Sequence, residues 1–327
     1  MPHAAVRCVF RSQPQTLTLD VPQAGALGWR AISRVLRSPV DSLGCAIFPA
    51  TCVLCADPLL RLSRVPVCDS CWTDLPPQSG PLCLCCGEAL GAHAFAGADR
   101  APGDWLCRPC RVSPPRFERA VAYGLYRGTM RALLHLLKYE GMEPVARRLG
   151  EIVAAQVAAL PALPGSLTVV PVPLFAAKLA QRGYNQAELL AREVVRAGRQ
   201  QGLPWRLDAS LLRRKRSTES QAGLTLRQRR ANMRGAFFVP GSHRDPQSAD
   251  SPEPEIARDK VRERLRQVDI LLIDDIYTTG ATARAASMAL REAGARSVWV
   301  ATAARAQRIE NITPPELPMH EDVAGWG

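Results

Sequence analysis

Eight of the 11 cysteines in this 327-residue chain form four C-x-x-C pairs inside one segment: Cys52/Cys55, Cys68/Cys71, Cys83/Cys86 and Cys107/Cys110. No such pair follows Cys110. Two thiolates separated by two residues on a tight knuckle can both reach one ion at about 2.3 Å, and two knuckles supply the four sulfurs of a tetrahedral site. Four knuckles therefore make two sites. The segment is poor in bulky aliphatics and rich in proline and glycine, so burial alone is a weak basis for its fold. A bound metal would contribute on the order of 10 kcal/mol per site. Sequential pairing puts Cys52, Cys55, Cys68 and Cys71 on one ion and Cys83, Cys86, Cys107 and Cys110 on the other; interleaved pairing is the alternative the spacing leaves open. All-sulfur sites keep no open coordination position, so two structural zinc ions are expected rather than catalytic ones. Gly87, directly after Cys86, suits the turn of a knuckle.

Other uses of these cysteines fit less well. A thioredoxin-like pair needs a βαβ setting that is missing here, and four disulfides need an oxidising compartment. Arg7, Arg11 and Asp20 interrupt the apolar residues of the N-terminus, so it lacks a secretory core, and a cytoplasmic location is expected. No run of about 18 apolar residues predicts a membrane span. Cys8, Cys45 and Cys85 read as spare thiols, and His93 as a solvated loop histidine.

Beyond Pro114–Pro115 the periodicity changes. Phe117–Tyr126 alternates like a strand, and Met130, Leu133, Leu134 and Leu137 recur at helical spacing. Helices are predicted over 143–160, 185–197 and 281–293, with buried strands at 167–172, 268–273 and 297–301 and a strand-like stretch at 237–239. A short helix is expected over 27–36. Strands alternating with helices predict an α/β fold with a parallel, doubly wound sheet, preceded by a small cysteine-rich zinc-ribbon domain. The expected organisation is a loosely structured arm at 1–40, a double zinc ribbon at 41–115, the α/β domain at 116–305 with an exposed insertion at 240–262, and a tail at 306–327.

The stretch Ile270-Leu-Leu-Ile-Asp-Asp-Ile-Tyr-Thr-Thr-Gly-Ala-Thr282 carries the chemistry. Four apolar residues make a central strand, Asp274 and Asp275 stand at its carboxyl end, and Thr278, Thr279, Gly280, Ala281 and Thr282 form a small-residue turn into a helix. Gly280 lets backbone approach a ligand closely. The first amides of the helix lack intrahelical partners and suit a phosphate, helped by the helix dipole. The carboxylates would repel that phosphate, so they serve sugar hydroxyls or Mg²⁺. The G-x-x-x-x-G-K-[ST] nucleotide loop is absent.

Residues 270–282 resemble the phosphoribosyl-pyrophosphate motif of type I phosphoribosyltransferases. Together with the four knuckles, the chain resembles the ComF family, associated with DNA uptake in naturally competent bacteria. Further segments fit that pattern: Leu137-Lys138-Tyr139, Pro171-Val172-Pro173-Leu174, Arg182-Gly183-Tyr184-Asn185-Gln186-Ala187-Glu188, Thr218-x-x-Gln221, and Arg229-x-x-Asn232 leading to Phe237. The resemblance spans roughly 45–305. It implies that Asp274 and Asp275 contact ribose hydroxyls, that Thr278 to Thr282 hold the 5′-phosphate, that the strand end at Pro171–Leu174 approaches pyrophosphate, and that Lys138 and Arg182 contact phosphate.

The formal net charge of +12 favours anionic partners. Arg213, Arg214, Lys215, Arg216, Arg227, Arg229, Arg230 and Arg234 cluster around 218–226, opposed only by Glu219. Such a loop, with Arg216 and Arg229 among its cations, suits closure over a pyrophosphate leaving group; it equally suits a nucleic-acid backbone or plain solvation. Two classes of function follow. One is a Mg²⁺-dependent phosphoribosyltransferase acting on phosphoribosyl pyrophosphate (PRPP) or a related sugar phosphate. The other is a non-catalytic PRPP sensor, or an adaptor that binds single-stranded DNA and competence proteins.

Overall fold

The computed structural model describes residues 50–59, 63–91, 105–215, 228, 233–242 and 254–307. The helix expected at 27–36, Cys8, Cys45, His93 and most of the tail lie outside these residues. The chain divides into two compact units, Met1–Asp74 and Leu75–Gly327.

In the first unit, Thr51 and Pro58 bridge across the Cys52/Cys55 knuckle, and helix α1 (Asp69–Thr73) starts at Cys68. The same design recurs in the second unit, where Leu82 and Ala89 bridge the Cys83/Cys86 knuckle and helix α2 (Arg108–Val112) starts at Cys107. The backbone bonds correspond: Cys52 N to Asp57 O and Ala56 N to Cys52 O in one, Cys83 N to Glu88 O and Gly87 N to Cys83 O in the other. Both knuckles close through a left-handed residue, at Ala56 (φ 63°) and Gly87 (φ 69°). The expected glycine is thus present in the second knuckle, and an alanine holds the strained conformation in the first.

The second unit contains a five-stranded, wholly parallel sheet. Its strands are β1 (Arg119–Leu125), β2 (Leu167–Pro171), β3 (Trp205–Leu207), β6 (Asp269–Tyr277) and β7 (Ser297–Arg305), in the order β1-β7-β6-β2-β3. β4 (Arg213–Arg214) and β5 (Phe237–Phe238) form a separate antiparallel ribbon. The helices are α3 (Gly128–Tyr139), α4 (Val145–Ala158), α5 (Ala176–Arg182), α6 (Gln186–Gln200), α7 (Pro254–Leu265) and α8 (Ala281–Glu292). The central strands are apolar runs because both faces are covered. On one face Val170, Ile270, Leu272, Val298 and Val300 pack with α8, Phe237 and the second group of knuckle cysteines. Residues of alternate parity, such as Val169 and Leu271, point the other way, and α4 and α6 pack together and against the sheet.

One element is added and one is extended. Residues 254–265, which overlap the expected exposed insertion at 240–262, form a helix, and most of its residues are exposed. The sequence Pro-Glu-Ile-Ala-Arg-Asp-Lys-Val-Arg-Glu-Arg-Leu is dominated by charge, which hides its few anchors: Leu265 is buried and Val261 packs against the core. Pro254 occupies a first-turn position that tolerates proline. The strand expected to end at Ile273 runs on through both aspartates to Tyr277, because β7 continues to pair with it: Asp274 faces Thr302 and Tyr277 faces Arg305. The helix α5, the short strand β3 and both knuckle helices were not foreseen; each is too short for periodicity to register.

The equivalent knuckle positions allow a direct test. Ala56→Gly should stabilise the first unit by about 1 kcal/mol by relieving the left-handed strain, read as a raised thermal midpoint. Gly87→Ala should destabilise the second unit, because its Cβ would come within 2.9 Å of the Ala120 carbonyl oxygen.

Candidate functional site

β2 leads out through α5 and α6 to β3 at one side, whereas β6 leads through α8 to β7 at the other. These neighbouring strands therefore part at their carboxyl ends, and a parallel sheet opens a ligand crevice where its connections diverge. The described motif residues of β2, β6 and the turn after β6 gather at this point. Val172 N donates to Ile273 O at 2.8 Å, which brings the strand end at Pro171–Leu174 against the end of β6.

Alternation along β6 gives the two aspartates different surroundings. Asp274 is partly buried and lines a small cleft with Val172, Leu272, Ile276, Thr278 and Thr302. Burial pushes its carboxyl up to about 6, opposed by the positive charges of Lys138 and Arg214. Asp275 is buried, and its Oδ2 is in contact with the ammonium of Lys138 from the last turn of α3. Burial pulls Lys138 down to about 8, against the raising influence of Asp274. The local bonds are short-range: Asp275 N donates to Asp274 Oδ1 at 2.9 Å and Ile276 N to Asp275 Oδ1 at 3.0 Å.

The turn after the acids has the shape its composition demanded. Gly280 is left-handed (φ 74°) and caps α8. A Cβ there would lie 2.2 Å from the Tyr277 hydroxyl oxygen, so both its φ and its closeness to Tyr277 require glycine. Thr279 Oγ1 accepts from Ala281 N at 3.3 Å, and Arg284 N donates to Gly280 O at 2.9 Å. The amides of the next residues, Thr282 and Ala283, sit in the first turn of α8, where a helix lacks internal acceptors. Thr278 and Thr282 border the same cleft as Asp274.

The Arg182–Glu188 segment builds the adjoining wall. Asn185 caps α6 by accepting from Ala187 N at 3.1 Å, and its Nδ2 donates to Val172 O at 3.0 Å, joining the two loops. Tyr184 donates its hydroxyl to Leu137 O, which ties this segment to the helix carrying Lys138. Arg182 ends α5, donates to Gln186 and lies 5.3 Å from the centroid of the exposed Tyr139 ring. Its positive charge also acts on Lys138. Of the basic cluster, Arg213 and Arg214 form β4, and Arg214 is close enough for its charge to act on Asp274; Arg216 and Arg229 lie outside the described residues. The chain between β4 and β5 carries the rest of the basic segment. The Asp274–Arg214 relation was not legible in sequence, because Arg214 is one arginine among many.

The cysteines form two groups in sequential order, Cys52, Cys55, Cys68, Cys71 and Cys83, Cys86, Cys107, Cys110, with all sulfurs of a group within 4.8 Å of one another. Tetrahedral zinc–thiolate bonds require sulfurs about 3.8 Å apart. The observed separations are 3.8 Å for Cys52–Cys71, 3.5 Å for Cys55–Cys68 and 3.6 Å for Cys86–Cys107. Backbone amides point at the sulfurs: Cys68 N to Cys52 Sγ and Cys107 N to Cys83 Sγ, each at 3.3 Å. The donor set fits zinc in both groups. The second group is also joined to the sheet. Arg305 donates to Cys86 O, approaches Cys86 Sγ at 3.6 Å and pairs with Glu88 at 2.5 Å, both side chains being buried. Cys85, read as a spare thiol, is buried, and its carbonyl accepts from Ala120 N at 2.8 Å.

Among the described residues no helix is long and apolar enough to cross a membrane. Residues 45–111 match the family described as double zinc ribbon domain. The chain is 27% identical over 255 residues to the DNA utilization protein YhgH of Salmonella typhi, covering 77% of this chain and 95% of that protein. It is 26% identical to Competence protein F of Haemophilus influenzae, over 79% and 98% of the two chains. It is 25% identical to Competence protein ComFC of Bacillus subtilis, over 70% and 79%. The chain thus carries a double zinc ribbon at 45–111 and is similar along most of its length to proteins named for competence and DNA utilization.

Proposed function

We propose that the crevice between the ends of β2 and β6 binds PRPP or a related sugar phosphate, and that the chain takes part in handling DNA during uptake, as the names of its relatives suggest. The reading is carried by one juxtaposition: a left-handed glycine opening a helix immediately after a carboxylate-ended strand, at the point where the sheet connections diverge. The 5′-phosphate would take the first-turn amides of α8 with the hydroxyls of Thr278, Thr279 and Thr282. The ribose hydroxyls would donate to Asp274, the acid that lines the cleft. Magnesium would enter with the ligand as a counter-charge to pyrophosphate, and Asp275 would become available to it once Lys138 turned to the phosphates. Arg182, Arg216 and Arg229 would add to that positive wall.

As a transferase the site would hold a nucleophile against the anomeric carbon while the bond to pyrophosphate breaks and pyrophosphate leaves, a reaction accelerated by positioning and charge stabilisation. The second reading, a sensor or single-stranded-DNA adaptor, is favoured by the basic segment that connects β4 and β5. Turnover of PRPP with an acceptor supports the transferase; saturable binding without turnover, competed by single-stranded DNA, supports the adaptor.

Calorimetric titration should show PRPP binding that tightens with Mg²⁺, and Asp274→Asn or Gly280→Ala should weaken it at least about tenfold, about 1.4 kcal/mol. Absence of heat with wild-type protein would sink the assignment. The raised carboxyl of Asp274 sets the sign of the pH dependence. Between its unfolded value of 3.8 and about 6 the folded protein binds the extra proton, so this group's contribution to stability is lost as pH rises through that window. Ligand binding should run the opposite way, weakening below about pH 6 as the carboxylate is neutralised; comparing wild type with Asp274→Asn isolates this from titration of the ligand. Elemental analysis of protein prepared without chelator should give about two zinc ions per chain, and Cys55→Ser should lower the count to about one.

A further inference from the structure

We propose that Arg305 is a positioning residue that couples the Thr278–Thr282 turn to the second zinc centre, so that the turn keeps its binding shape only while that centre is intact. The identity of the ligand rests on the reading above; the coupling does not.

The connection is a continuous stack. Arg305 ends β7 and is 1% exposed. One side of its guanidinium serves the knuckle, through Cys86 O, Cys86 Sγ at 3.6 Å and Glu88 at 2.5 Å. Its carbon lies 4.3 Å from the centroid of the Tyr277 ring. The Tyr277 hydroxyl in turn fills the space where a Gly280 side chain would begin, 2.2 Å from that ideal Cβ position. The backbone clamps the same pair, since Tyr277 and Arg305 are in register and Ala306 N donates to Tyr277 O at 3.0 Å. Cys86 thus reaches the left-handed glycine through two side chains.

A second strut starts on the other side of the turn. Arg284, whose amide bonds Gly280 O, donates from its side chain to Ser113 O at 2.6 Å and approaches Cys110 Sγ at 3.8 Å. Two arginines flanking the turn therefore reach two sulfurs of one centre. Zinc with four thiolates carries a net charge of about −2, which both guanidinium groups can partly offset in this low-dielectric setting. Without the metal the four sulfurs are no longer held to one ion, so the Cys86 and Cys110 atoms that both struts reach lose their fixed positions.

Hydrogen exchange of the full zinc-loaded chain, without ligand, tests this. In Arg305→Met, and in wild type after chelation, peptides covering residues 278–284 should exchange about tenfold faster while those covering Leu167–Pro171 keep their protection. Arg305→Met should also release zinc faster to a colorimetric chelator, and Arg305→Lys should fall between the two. Wild-type exchange and zinc release in folded Arg305→Met would overturn the proposal. If that variant fails to fold, Tyr277→Leu decides: a loosened turn with wild-type zinc release supports the stack, and an unchanged turn refutes it. PRPP titration of the same variants should show weakened binding. A wild type that binds no PRPP would remove the ligand reading and leave the exchange result to judge the coupling.

Discussion

Strand β6 is hydrogen-bonded on both edges and covered on both faces, and most of the architecture answers that constraint. Ile270 to Ile273 satisfy it with apolar side chains, all essentially inaccessible to water. Pairing with β7 carries the strand on into Asp274 and Asp275, where charge must be compensated at the rim of a dry core. Lys138 compensates Asp275 from one helix, and Arg214 and Lys138 temper Asp274. The cost of placing carboxylates there is visible in the raised carboxyl of Asp274 and the lowered ammonium of Lys138.

The same logic explains how the cysteine module and the sheet share a core. The second knuckle packs its cysteines with Phe117 and Ala120 in the cluster that includes the inner face of α8. Burying Arg305 against Glu88 is costly unless both are paired and hydrogen-bonded. Here the pair also satisfies a knuckle carbonyl and stacks on Tyr277, so the ion pair fastens the metal centre to the strand end beneath the turn. The first knuckle repeats the backbone design within its own unit, with Ala56 where the second has Gly87.

Local chemistry was legible because it is written in adjacent residues. The four C-x-x-C pairs, the apolar run from Ile270, the glycine of the turn and the helix from Ala281 each signal themselves within a few positions, and the parallel α/β class follows from their alternation. Sequential grouping of the cysteines was the simpler pairing, and the sulfur separations favour it. The helix at Pro254–Leu265 was masked because charge at most positions drowned the spacing of Val261 and Leu265. The extension of β6 was hidden because aspartate disfavours strands in isolation and is held there by β7.

Sequence alone determined the ligand set for zinc, the apolar centre of the sheet and the turn that needs Gly280, since each depends on spacing or on the absence of a side chain. Tertiary structure decided which charge meets which. Lys138 and Asp275 are far apart in the chain, as are Arg305 and Glu88, and nothing near any of them in sequence names its partner. Strand order brings them together, and in a medium that screens charge poorly, that proximity separates a buried pair from a solvated residue.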